Sequence, residues 1–142
     1  LFIVGRVDTL GNYRNFAGLG ASGGSTKTVL FVSGGGAITL QRRTPSLQNC
    51  PSANGIYSAA TNYMMTATSA SQVWLGRTSV ATSTAVIPTS ADVFAIGRPY
   101  AIVTYGRLNG RLYAAYKGPA GLTTPQIESM WDYIEASLVG SI

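Results

Sequence analysis

The sequence predicts an all-β fold, an antiparallel β-sandwich or jelly roll, with one C-terminal α-helix over about 123–138. Three observations carry this. Short runs rich in Val, Ile, Thr and Tyr recur along the chain, separated by Gly, Ser and Asn clusters. Strands follow strands with no helical period between them, which argues against a parallel α/β sheet. Only the last stretch changes period, from two to about 3.6. The 142 residues read as a single domain, 1–142, long enough to bury a core.

Taken in order, "LFIVGRVD" is a compact apolar run closed by Thr9 to Asn12, as a core strand should be. "FAGLGAS" breaks at Gly23-Gly24, "KTVLFVS" at Gly34-Gly35-Gly36, and "AITLQRR" follows. Glycine accepts the positive φ of a tight reversal, so the triplet predicts a hairpin between the last two. Pro45 to Gly55 shows no period and reads as a loop, with Cys50 a small, partly buried residue before Pro51. Strand chemistry resumes in "GIYSAATNYMMTATSASQVWLGRTSVAT", where Trp74 falls in mid-strand and reads as core. "DVFAIGR", "YAIVTYGRLNG" and "RLYAAYKG" bring the total to about nine strands, and Asn109-Gly110 predicts a tight hairpin between the last two.

The helix is signalled at both the cap and the stripe. Thr123 at the N-cap with Gln126 three positions on makes a capping box, and Leu122 is placed to staple onto Ile127. Pro125 falls in the first turn, where a missing N–H does no harm. Ile127, Met130, Trp131, Ile134 and Leu138 form one apolar stripe, with Glu128, Asp132 and Glu135 opposite. Such a stripe must pack on the sandwich or on a partner.

Composition excludes several classes of function. The chain has 46% hydrophobic and 11% charged residues, too apolar for disorder, and no apolar run long enough to span a membrane. Its net charge of +5 comes from scattered arginines (Arg6, Arg14, Arg77, Arg98, Arg107, Arg111) and one Arg42-Arg43 pair. These read as a solvated surface rather than the clustered footprint of a nucleic-acid binder. Histidine is absent, which removes the usual triads and imidazole metal sites, and Cys50 is the lone cysteine, so no internal disulfide forms. Beyond the helix the acids are Asp8 and Asp92, each beside a turn, where Asp commonly satisfies backbone groups. Neither a catalytic carboxylate pair nor an acidic calcium site is expected. Gly18, Gly20 and Gly23 fit a dinucleotide-binding spacing, and Lys27 follows a Gly-Ser-Thr stretch, but both lead into a strand rather than a helix and read as turns. No cofactor is expected.

The final third, "IGRPYAIVTYGRLNGRLYAAYKGPAGLTTPQIESMWDYI", resembles the C-terminal stretch of concanavalin A-like (laminin G-like) jelly-roll modules of bacteriophage and bacterial surface proteins. The resemblance rests on Ile96-Gly97-Arg98, on Gly110-Arg111-Leu112, and on Leu122-Thr123 through Gln126-Ile127. It implies a binding or structural role on a virion surface or outside the cell, as a tail-fibre, receptor-binding or decoration component. The expected partners are other virion subunits in a homo-oligomer and, if a ligand is bound, cell-surface glycans. Sugar rings stack on exposed aromatics, and Tyr13, Tyr57, Tyr63 and Tyr100, in or beside predicted turns, are the candidates. A purely architectural cement protein is the alternative, and a hydrolase using Asp8 and Asp92 a third. Two departures from the family stand out: the acid-rich signatures of its enzymes and calcium lectins are missing, and the chain opens directly on the first strand. The numbered chain therefore reads as a processed product or a piece of something longer, with an edge supplied from upstream or by a neighbouring subunit.

Overall fold

The computed structural model describes residues 1–11, 14–20, 27–44, 46–68, 72–82, 93–97, 107–119 and 121–138. Ten strands occur among them: β1 (Phe2–Val7), β2 (Arg14–Gly20), β3 (Lys27–Val32), β4 (Ile38–Thr44), β5 (Ser46–Pro51), β6 (Tyr63–Ala67), β7 (Gln72–Leu75), β8 (Thr78–Thr82), β9 (Val93–Ile96) and β10 (Gly110–Tyr116). They form two antiparallel five-stranded sheets, ordered β10-β1-β6-β7-β8 and β5-β4-β3-β2-β9. One helix, α1 (Thr124–Ser137), follows. The fold is the all-β sandwich with a C-terminal helix that the patterning predicts.

β1 explains the apolar opening run. Ile3 and Val7 point into the core between the sheets, with Phe16, Leu30, Ile38, Leu40 and Met65. Phe2 and Val4 point the other way, into a second cluster with Trp74, Ile127, Trp131 and Ile134. A strand covered on both faces loses the alternation of a half-buried one. The apolar stripe of α1 thus lies on the outer face of the first sheet, making a third layer rather than closing the end of the sandwich. Phe2 and Trp131 meet edge to face, with ring centroids 5.3 Å apart.

The helix start follows its local chemistry. Gln126 Oε1 accepts from the Thr123 backbone N–H at 2.9 Å and from the Thr123 hydroxyl at 3.1 Å. Leu122 packs in the same cluster as Ile127, as a staple requires. The glycine triplet also behaves as expected: β3 and β4 pair from Lys27↔Arg43 to Val32↔Ile38, and Gly36 has φ +73° in the turn between them.

Four local expectations are corrected. The supposed loop from Pro45 contains β5, which pairs with β4 from Thr44↔Ser46 to Thr39↔Pro51. Cys50 is therefore a buried strand residue opposite Leu40. Pro51 is tolerated because it ends a sheet-edge strand. Gly18 and Gly20 lie inside β2, paired with β3 and β9, not in a turn, while Gly23 lies outside the described residues. Asn109-Gly110 is not a tight reversal: Gly110 is the first residue of β10 and does not have the positive φ that the expected turn demands. A β-carbon there would collide with the Arg6 carbonyl oxygen, so close strand approach requires the glycine. The strand expected upstream of it falls mostly outside the described residues. Finally, β1 is not an uncovered edge, since β10 and β6 flank it.

Candidate functional site

The four tyrosines do not form one platform among the described residues. Tyr13 and Tyr100 lie outside them. Tyr57 is 1% exposed and belongs to the core. Its hydroxyl accepts from the Val7 N–H at 2.8 Å, and its ring packs against Tyr63 at 4.5 Å between centroids and Phe16 at 6.0 Å. No ring face is left on which a sugar could stack. Tyr63 is half-buried in the same cluster, and its hydroxyl accepts from the Ser58 N–H at 3.3 Å. The one large aromatic the structure holds out to solvent, among the described residues, is Tyr133, 61% exposed on α1. Its place on the polar side of the helix, next to Asp132, is legible from the 3.6-residue period.

Every described acid but Glu128 has an arginine partner. Asp8 pairs with Arg6, Nε to Oδ1 at 2.7 Å. Arg77, in the turn between β7 and β8, donates from Nη2 to Asp132 Oδ1 at 2.6 Å and to Glu135 Oε2 at 3.0 Å, reaching from the sheet to α1. Glu128 is exposed on the helix. Asp92 lies outside the described residues. Among the described residues no three His, Cys, Asp or Glu gather in a way that would hold a metal ion, and no helix is long and apolar enough to cross a membrane.

A cleft of about 180 Å³ opens between the two sheets where β1 begins and β2 and β4 end. Leu19 and Leu40 wall it from one sheet, Leu1 and Ala67 from the other, and Pro119 stands beside them. Arg42 and Lys117 also line it. Period two along β4 places Arg42 on the inward side with Ile38 and Leu40, and it is only 2% exposed. The sequence reading of the Arg42-Arg43 pair as solvated charge is thus corrected for Arg42. Its Nη2 donates to the Thr68 carbonyl oxygen at 3.0 Å, tying β4 to the end of β6 across the sandwich.

Electrostatics follow from that burial. Desolvation pulls the Arg42 guanidinium below its ordinary pKa, with the nearby Cys50 opposing. An arginine remains cationic nonetheless. Burial pushes the Cys50 thiol up and Arg42 offsets it, so the thiol is a core group and not an activated nucleophile.

The geometry defines an antiparallel β-sandwich with a helix-covered outer face and a cationic, apolar-walled cleft at one end. Compared with protein-family models, curated proteins and solved structures, the chain matches none.

Proposed function

We propose that the chain is a non-catalytic module of a bacteriophage virion surface, a tail-fibre, receptor-binding or decoration component with glycans as its ligand class. The observation that carries the non-catalytic part is the use made of the carboxylates. Asp132 and Glu135 are both taken up by Arg77, and Asp8 is engaged by Arg6. A polysaccharide hydrolase needs two carboxyl groups about 5–10 Å apart with the scissile bond between them; Asp132 and Glu135 come close to each other, but Arg77 occupies the space between them. The resemblance of its short motifs to those of concanavalin A-like modules supports the surface role. If sugars stack on this module, Tyr133 offers the exposed aromatic face.

A saccharide array read with the purified protein tests this. Saccharide-dependent capture that weakens in Tyr133→Ala supports glycan recognition, and polysaccharide cleavage abolished by Asp8→Asn would sink the non-catalytic reading. The architectural alternative is favoured by β8, at the edge of its sheet among the described residues, whose sequence Thr-Ser-Val-Ala-Thr has neither charge nor proline to discourage pairing. An inert array together with a trimer or larger species in solution would point to that alternative.

A further inference from the structure

We infer that α1 is a releasable roof: it lifts from the first sheet in a partial opening that leaves the two sheets folded, and buried polar atoms without partners in the seam favour that opening. The inference does not depend on what the module binds. Register places Thr66 of β6 opposite Phe2 of β1 on one side and Trp74 of β7 on the other. Directly opposite residues share a face, so all three lie in one row beneath the helix, where Phe2 meets Trp131. Thr66 Oγ1, Trp74 Nε1 and Trp131 Nε1 are each sealed in this seam with no hydrogen-bond partner. The three residues are 1%, 7% and 0% exposed, so bulk water does not reach those atoms either.

A buried donor or acceptor without a partner costs the docked state the hydrogen bond it would make to water. Lifting α1 returns all three atoms to solvent, while the cluster between the sheets, which is separate from the one under the helix, stays closed. Apolar burial is the main force that resists. The two ion pairs from Arg77 are solvent-exposed and contribute little. No acid in the first turn and no base in the last favours the helix dipole, and the C-cap is Leu138 rather than a left-handed glycine. No described strand follows α1, so it leaves without unthreading a ladder. A helix of 14 residues is marginal in water once undocked, so its amides exchange whenever the roof is off.

Hydrogen exchange of the whole native chain, followed amide by amide at urea concentrations below the unfolding transition, tests the proposal. The Trp131 and Ile134 amides of α1 are expected to exchange about tenfold or more faster than the slowest amides of β3 and β4. Their urea dependence should also be weaker, because a partial opening exposes less surface than unfolding does. Thr66→Val keeps the shape of the side chain and removes the unpartnered hydroxyl. It is expected to slow exchange in α1 several-fold, and by the same factor as in β3 and β4, since partial and global opening both free that position. Thr66→Ser keeps the hydroxyl and should show no such slowing. One common rate and urea dependence for α1, β3 and β4 overturns the proposal. So does a Thr66→Val variant that slows β3 and β4 but not α1, because the opening would then leave the seam closed. Faster α1 exchange in Thr66→Val overturns it as well, because the hydroxyl would then be satisfied where it lies. If Thr66→Val fails to fold, the rates and urea dependence of the native chain still decide.

Discussion

At the scale of single residues, Tyr57 shows how a side chain with a functional look becomes a structural one. Its hydroxyl is the acceptor for the Val7 N–H inside the core, beside Tyr63 and Phe16. Burial raises its phenol to about 12, the hydrogen bond from Val7 opposing the rise. The unfolded phenol titrates near 10. The folded state therefore holds the proton more tightly, and this contribution is complete below pH 10 and lost as the pH climbs from 10 to 12. Its size is about 2–3 kcal/mol. Urea midpoints measured across that window should fall more steeply for the native protein than for Tyr57→Phe, and parallel curves would contradict the assignment. Tyrosine in a turn-rich stretch gives no local sign of such burial, because its partner Val7 is fifty positions away. Arg42 was legible, by contrast: counting by twos from Ile38 and Leu40 puts it inside, a signal hidden when it is read as one of a charged pair.

At the scale of elements, α1 was legible in detail while β5 was not, and the reason is locality. The cap, the staple and the stripe of α1 are all encoded within sixteen residues of one another, and each appears where the spacing puts it. β5 is made of Leu, Gln, Asn, Cys and Pro, with little intrinsic strand preference, and owes its existence to the ladder offered by β4. The same logic ranks the forces on the helix. Trp131 is fully buried against Phe2, so Trp131→Ala is expected to cost about 3–5 kcal/mol in chemical denaturation. Arg77→Ala removes two solvent-exposed ion pairs and should leave the midpoint within error. Should the two variants shift the midpoint alike, the helix is held by charge rather than by its apolar stripe.

At the scale of the whole molecule, the sandwich is three layers, and the helix is what makes the outer face of one sheet tolerable in water. A sandwich could be read from the sequence, but the order of strands within its two sheets could not, because that order is set by contacts across long separations and not by local pattern. A chain ending at Gly121 would uncover Phe2, Val4 and Trp74 on that face. It is expected to bind a hydrophobic dye that the intact chain does not, and to aggregate in light scattering beyond any assembly of the intact chain; a dye-silent truncation with unchanged scattering would mean the layer is dispensable. The placement of β1 has a temporal consequence as well. One of its neighbours, β10, and the helix that roofs it both lie more than a hundred positions downstream. During synthesis the opening segment leaves the ribosome greasy on two sides and waits for nearly everything else before it can be enclosed. Closing so long a span makes for slow assembly, and the interval in which that ribbon is bare is when a holding chaperone, or a misplaced copy of the same strand, would capture it.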